Sequence, residues 1–166
     1  RYVAQLRTCT HFEQLEFMAH GSYVITGALG GLGSRAMMML VQAGTASVIL
    51  SSRSGLISSN GLDTAFEIHR SLYLLASDVG DRYSAFCLVN RLSIAGVLHA
   101  AGAADKGLLV ELHAHRLRWM FASKALGAWH LKCAAAAAAP LEACVLFSSV
   151  GSALGNVGQA NYAAAN

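Results

Sequence analysis

Residues 22–33 read Ser22-Tyr23-Val24-Ile25-Thr26-Gly27-Ala28-Leu29-Gly30-Gly31-Leu32-Gly33, and their order decides the fold. A short apolar, β-branched run, Ser22–Thr26, feeds directly into a glycine-rich turn. A helical pattern follows over 32–43 (LGSRAMMMLVQA), with Gly44 as its stop. Strand, glycine turn and helix in immediate succession are the local signature of a phosphate-binding βα unit. Gly27 permits the tight turn, Gly30 and Gly31 let the backbone approach a pyrophosphate, and Gly33 lets the helix pack closely on the sheet. The helix N-terminus supplies unpaired N–H groups and the positive end of a dipole.

Outward from this unit, strand and helix signals alternate. Strands are expected at 46–52 (ASVILSS), 72–76 (LYLLA), 95–99 and 144–149 (CVLFSS). Between them, 53–61 reads as loop and 62–70 as a short helix. Residues 81–92 read as a helix, 111–132 carry a long helical pattern, and the last residues begin another helix. The alanine patch 134–139 is expected to extend the long helix until Pro140 ends it. Strands joined through helices imply right-handed βαβ crossovers, and hence an α/β, doubly wound parallel sheet of Rossmann type.

Composition agrees. The chain has 166 residues, 55% hydrophobic and only 13% charged, which excludes disorder and suits strands buried on both faces. The net charge of +3 comes without a basic block, so nucleic-acid binding is not indicated. No apolar run reaches the roughly 20 residues a membrane helix needs, and no signal peptide is expected. Cys9, Cys87, Cys133 and Cys144 are scattered without a CxxC pair. Buried free thiols in a reducing, cytoplasmic setting are expected, with no metal site. His113 and His115 read as a solvated helix face, Met37–Met39 as core filler, and Trp119 and Trp129 as packing for the long helix.

Two further features carry chemistry. The second strand ends Leu50-Ser51-Ser52-Arg53, where NAD-binding versions place an acidic residue for the ribose 2′-hydroxyl. Arg53 would instead attract a 2′-phosphate, with Ser52 adding a hydrogen bond, which favours NADP(H). The other feature is Ser148-Ser149, then Tyr162 and Asn166, with Lys124 upstream. A tyrosine ordinarily titrates near 10, and a neighbouring ammonium would bring it closer to neutral pH for proton exchange. A serine hydroxyl beside it could hold a carbonyl oxygen.

These strings closely resemble ketoreductase domains of polyketide and animal-type fatty acid synthases, within the short-chain dehydrogenase/reductase superfamily. The likeness rests on Thr26–Gly33, His99-Ala100-Ala101-Gly102, Lys124-Ala125-Leu126-Gly127-Ala128-Trp129-His130-Leu131, Phe147-Ser148-Ser149, and Gly158-Gln159-Ala160-Asn161-Tyr162-Ala163-Ala164-Ala165-Asn166, in this order. It covers nearly all of 22–166. The resemblance implies that Tyr162 is the proton donor and that Ser149 hydrogen-bonds the carbonyl, with Ser148 the lesser candidate. Lys124 would support Tyr162 and contact the cofactor ribose, and Asn166 would complete the tetrad. Lysine upstream of serine and asparagine after tyrosine is the order of synthase domains. Cofactor contacts are expected from Thr26, Gly27, Leu29, Gly30, Gly31, Leu32, Gly33, Ser52 and Arg53, from Asp78 and Val79 at the adenine, and from Ala101 and Gly102 at the nicotinamide ribose.

The resemblance also implies reduction of a β-ketoacyl thioester by NADPH. The substrate would ride on the phosphopantetheine of an acyl carrier domain, alongside other synthase domains of the same polypeptide. Residues 1–20 are expected to be the end of a preceding structural subdomain plus linker, and 21–166 the catalytic domain, incomplete on its C-terminal side. By themselves these residues are expected to be poorly stable or inactive, with an apolar sheet edge left open at the fifth strand. The stretches 54–77 and 80–95 are shorter than is usual in the family. The stereochemical markers match neither class: Ala104-Asp105-Lys106 stands where one class has Leu-Asp-Asp, and Leu154 where the other has tryptophan. Alternative readings are a free-standing NADP-dependent alcohol dehydrogenase and a non-catalytic nucleotide-binding module. Intact Lys124, Ser149, Tyr162 and Asn166 speak against the latter.

Overall fold

The computed structural model describes residues 21–56, 71–90, 93–138 and 140–166. The segments 1–20 and 57–70 lie outside them, and with them the expected leading strand, the linker and the 62–70 helix.

Five strands, β1 (Ser22–Thr26), β2 (Ser47–Ser52), β3 (Leu72–Ala76), β4 (Ile94–His99) and β5 (Ala143–Leu146), form one sheet in the order β3-β2-β1-β4-β5. Every pairing is parallel. Alternation along the central strand sends Tyr23 and Ile25 to one face and Val24 to the other. On the first face they join Val48, Leu50 and Leu98 beneath α1 (Gly31–Gln42), which contributes Ala36, Met37 and Leu40 at helical spacing. On the second face Val24, Ile49 and Val97 pack against Ala85, Leu88 and Val89 of α2 (Arg82–Asn90) and Leu131 and Ala134 of α4 (Gly127–Ala136). Helices on both faces of a parallel sheet make the fold doubly wound, as the sequence predicts.

The long helical pattern at 111–132 resolves into pieces: a 3₁₀ turn Leu109–Glu111, α3 (Ala114–Phe121), a π-helical turn Ala122–Leu126, and α4. The alanine patch leaves α4 at Ala136, before Pro140. The fifth strand stops at Leu146, so Ser148 and Ser149 stand in the turn beyond it. The final helix is two short ones, α5 (Val150–Leu154) and α6 (Ala160–Ala165), separated by a turn through Gly155 and Gly158, both at positive φ.

Several packing expectations are corrected. Only Met37 is core, because Met38 and Met39 fall on the outer side of α1. Trp119 and Trp129 are exposed, with the Lys132 ammonium standing 5.8 Å from the Trp129 ring. Cys87, Cys133 and Cys144 are free thiols, but Cys133 and Cys144 are exposed rather than buried. His113 and His115 stack on each other in solvent, and no metal-binding cluster occurs among the described residues. The strand β5 lies at the sheet edge with Val145 and Leu146 exposed. At the opposite edge α2, nine residues long, leaves Tyr73 and Leu75 uncovered over an open apolar groove. No described helix is long and apolar enough to cross a membrane.

Candidate active site

All five strands run the same way, so their C-terminal ends share one rim. The chain after β1 turns toward β2 and the chain after β4 turns the other way, which opens a crevice between them. Gly27 makes the first turn at φ +67°. Its N–H donates to the Ser51 carbonyl at 3.0 Å, and a Cβ there would lie 2.5 Å from the Ala101 Cα. Gly33 is equally constrained, since a Cβ would stand 2.5 Å from the Ala28 Cα and 2.6 Å from the Gly27 carbonyl oxygen. Gly30 and Gly31, by contrast, are exposed where α1 begins, and no atom lies within 4 Å of a Cβ at Gly31.

The crevice is a cleft of about 160 Å³ lined by Thr26, Gly27, Ser52, Arg53, Asp78, Val79, Ala101 and Gly102, together with Ser51, Ser77 and Ser123. The first eight are sequence-predicted cofactor contacts. Of the other predicted contacts, Gly33 packs behind the turn, and Leu29, Gly30, Gly31 and Leu32 lie outside the lining, with Leu32 exposed. Ser51 and Ser77 were not foreseen. Their hydroxyls are buried without a hydrogen-bond partner among the described residues, which is costly unless a ligand or water satisfies them. Arg53 is exposed at the end of β2 with no carboxylate partner among the described residues. Ser52 accepts from the Gly55 N–H at 3.0 Å and keeps its own proton to donate. Asp78 accepts from the Gly80 N–H at 2.9 Å, which fixes the turn after β3. Orphaned hydroxyls inside and a free guanidinium at the mouth fit a polyanionic dinucleotide.

Lys124 sits in the π-helical turn, buried to 9% exposure. Its stem runs along Gly102, and its ammonium donates to the Phe147 carbonyl at 2.9 Å. Burial lowers its pKa from the usual lysine value, and Tyr162 is near enough to oppose that shift electrostatically. Just past β5, Ser149 caps α5 by accepting the Gly151 N–H at 3.1 Å. Its own proton has no acceptor among the described residues. The absent Cβ of Gly151 separates the Ser149 Oγ, 3.4 Å away, from the Tyr162 ring, 3.8 Å away. Serine and tyrosine thus both lie close to the same glycine. Ser148 points elsewhere, donating to the Asn166 carbonyl at 2.9 Å and pairing with Ser152. Asn166 donates from Nδ2 to the Tyr162 carbonyl at 2.8 Å, and its Oδ1 is buried with no partner among the described residues.

His99 joins the two halves of the site, a function its sequence position did not reveal. Its Nε2 stands 3.1 Å from the Lys124 carbonyl, which can only accept, so Nε2 carries the proton. Nδ1, 2.6 Å from Thr26 Oγ1, therefore accepts the threonine hydroxyl. Burial pushes the His99 pKa below the ordinary 6.5, the Lys124 carbonyl opposes that shift, and the Lys124 charge adds to it. In the unfolded chain His99 binds a proton as pH falls through about 6.5, whereas the folded chain resists until lower pH. Its stabilising contribution is full above the unfolded value and is lost as pH falls through the folded one. Thermal melts from about pH 7.5 to about pH 5.5 should show a weaker acid slope in His99→Gln, which keeps a donor and an acceptor. An unchanged slope would remove His99 as its source.

Comparison with known proteins completes the picture. A family model described as KR domain matches residues 21–166. The chain is 35% identical over 160 residues to a mycocerosic acid synthase-like polyketide synthase of Mycobacterium tuberculosis, covering 90% of this chain and 7% of that protein. It is 38% identical over 154 residues to polyketide synthase GfsA of Streptomyces halstedii, covering 88% of this chain and 2% of that one. The chain therefore spans only a small part of these relatives. Among solved structures, the first ketoreductase of the tylosin polyketide synthase superposes with a TM-score of 0.82 at 32% identity, over 90% of this chain and 34% of that one.

Proposed function

The chain belongs to the KR domain family, the ketoreductase domains of polyketide synthases, and from that membership we propose that it reduces a β-ketoacyl thioester to the β-hydroxyacyl thioester with NADPH. KR domains are oxidoreductases, and their fold is a nicotinamide-binding Rossmann fold. The observation that supports the finer reading is that Ser149 Oγ and the Tyr162 ring both lie close to Gly151, while the Lys124 stem runs along Gly102 and its ammonium reaches the Phe147 carbonyl.

Thr26 and Gly27 would contact the cofactor at the first turn, and Ala101 and Gly102 would flank its nicotinamide ribose. Gly30 and Gly31, with the flanking Leu29 and Leu32, would receive its pyrophosphate at the start of α1. Asp78 and Val79 would border the adenine. When bound, NADPH supplies the hydride that the β-carbon accepts. Tyr162 donates its phenolic proton to the carbonyl oxygen as negative charge develops there. Ser149, whose proton is uncommitted, hydrogen-bonds the same oxygen and stabilises that charge. Lys124 would support Tyr162 electrostatically and contact the cofactor ribose, and Asn166 braces Tyr162 through its carbonyl. Ser148 donates to the Asn166 carbonyl while the Ser149 proton has no acceptor among the described residues, which supports Ser149 over Ser148 in this role. The substrate would arrive on the phosphopantetheine of an acyl carrier domain, with other synthase domains on the same cytoplasmic polypeptide.

The test is loss of NADPH absorbance with a β-ketoacyl thioester surrogate, in the natural polypeptide that carries these residues. Turnover supports the reading. Cofactor binding without turnover turns it toward a non-catalytic nucleotide-binding module, and absence of binding in a folded sample removes the cofactor assignment. Arg53 gives a second check. A charge-assisted bond to a 2′-phosphate contributes about 1.5–3 kcal/mol, so Arg53→Ala should raise the NADPH KM about ten- to a hundredfold and leave the NADH KM near its original value. Equal losses for both cofactors would mean that Arg53 does not read the 2′-phosphate.

A further inference from the structure

Asp105 belongs to the loop after β4, outside the cofactor cleft. Arg116 approaches its carboxylate as a fork, with Nε 3.0 Å from Oδ2 and Nη2 2.5 Å from Oδ1. The same Oδ2 accepts from Asn161 Nδ2 at 2.6 Å. Arg116 also donates to the Lys106 carbonyl at 2.7 Å, so the loop is held at two consecutive residues. Asn161 is almost fully buried, at 2% exposure. Because its Nδ2 faces a carboxylate, its Oδ1 must face the other way, where it accepts the Tyr162 N–H at 2.9 Å. A further tie joins the same loops, from the Gly107 N–H to the Gly158 carbonyl at 2.8 Å.

The two ends of this network are the two sides of the site. Arg116 lies on α3, which continues through the π-helical turn that carries Lys124. Asn161 precedes Tyr162 on α6, and its side chain ties that helix to the Asp105 loop. We propose that Asp105 is a positioning residue for Tyr162, acting through Asn161 and anchored by Arg116, so that it sets the placement of the tyrosine relative to Lys124 and Ser149. This rests on the ketoreductase reading of the site. Asp105 touches neither cofactor cleft nor reacting atoms, so its effect falls on kcat and leaves cofactor binding alone. Loss of alignment near 1 Å can lower a rate about a hundredfold.

The discriminating pair is Asp105→Ala and Asp105→Asn. Asparagine keeps an oxygen for Asn161 but loses the ion pair with Arg116. Asp105→Ala should lower kcat about ten- to a hundredfold, with NADPH Kd and surrogate KM unchanged, and Asp105→Asn should recover most of the loss. If both variants lose kcat alike, the ion pair matters and the route through Asn161 is overturned. A second readout needs no turnover. Amide hydrogen exchange at Tyr162 should accelerate about tenfold in Asp105→Ala, as one hydrogen bond is loosened, with amides of β1 and α1 unaffected. A parent protein that binds NADPH but never turns over would defeat the ketoreductase reading, and the exchange rate would then decide the positioning role alone. Unchanged exchange at Tyr162 in a folded Asp105→Ala protein overturns it.

Discussion

Tyr162→Phe is expected to lower the rate of β-ketoacyl thioester reduction by about a hundredfold to ten-thousandfold, the range that a positioned proton donor contributes. NADPH affinity and the melting temperature should stay close to those of the parent. The second half of this expectation follows from the surroundings of the ring. Tyr162 is half-buried, its ring contacts the open side of Gly151, and its hydroxyl bonds to no partner among the described residues. Removing the oxygen therefore leaves no buried polar group stranded, which is the usual source of large losses in stability. The backbone ties that hold the tyrosine, from Asn161 Oδ1 and Asn166 Nδ2, do not involve its side chain. A phenylalanine variant that still reduced the surrogate at the parental rate would move proton donation to another group. A variant that melted well below the parent would mean that the hydroxyl serves the fold.

The sequence was legible where the responsible physics is local. The glycine turn, the β-branched runs and the helical spacing of Ala36, Met37 and Leu40 are contained within a few residues each, and the structure has them in place. Arg53 was legible as the residue that ends the second strand of a βα pattern, whereas Asp78 and Gly102 were supplied by the family resemblance; all three line the cleft. What remained hidden depends on residues far apart in the chain. His99 bonds Thr26 and Lys124, 73 and 25 residues away, and nothing in a lone histidine at a strand end announces that. Asp105 meets Asn161 across 56 residues. The π-helical turn at Lys124 was likewise invisible, because alanine-rich sequence favours regular helix and only the packing of Gly127 against Val79 and His99 marks the spot. The exposure of Met38, Met39 and the tryptophans shows the limit of assigning large apolar side chains to the core by type alone.

The glycines of the turn separate a residue needed by the fold from one needed by the ligand, and a pair of alanine substitutions should divide them cleanly. Gly27→Ala places a side chain at φ +67°, a conformation that costs about 1–2 kcal/mol for an L-residue. It also drives the new methyl into the backbone of Ala101, at 2.5 Å from both Cα and N. That neighbour has little room to retreat, since the Ala100 N–H is bonded to the Thr26 carbonyl at 3.0 Å in continuation of the β1–β4 ladder. Adding the strain of overpacking, the total loss should be about 2–5 kcal/mol, a large share of a domain's stability, and read directly as a lowered denaturation midpoint. Gly31→Ala meets nothing within 4 Å and stands in the first turn of α1, where alanine is the better helix former. Its stability should hold or rise slightly, while its methyl group obstructs the approach of a pyrophosphate to the backbone and weakens NADPH binding about tenfold or more. Equal destabilisation by both substitutions would mean that the turn is packed throughout and offers no backbone to a ligand. Full NADPH affinity in Gly31→Ala would move the pyrophosphate away from the start of this helix.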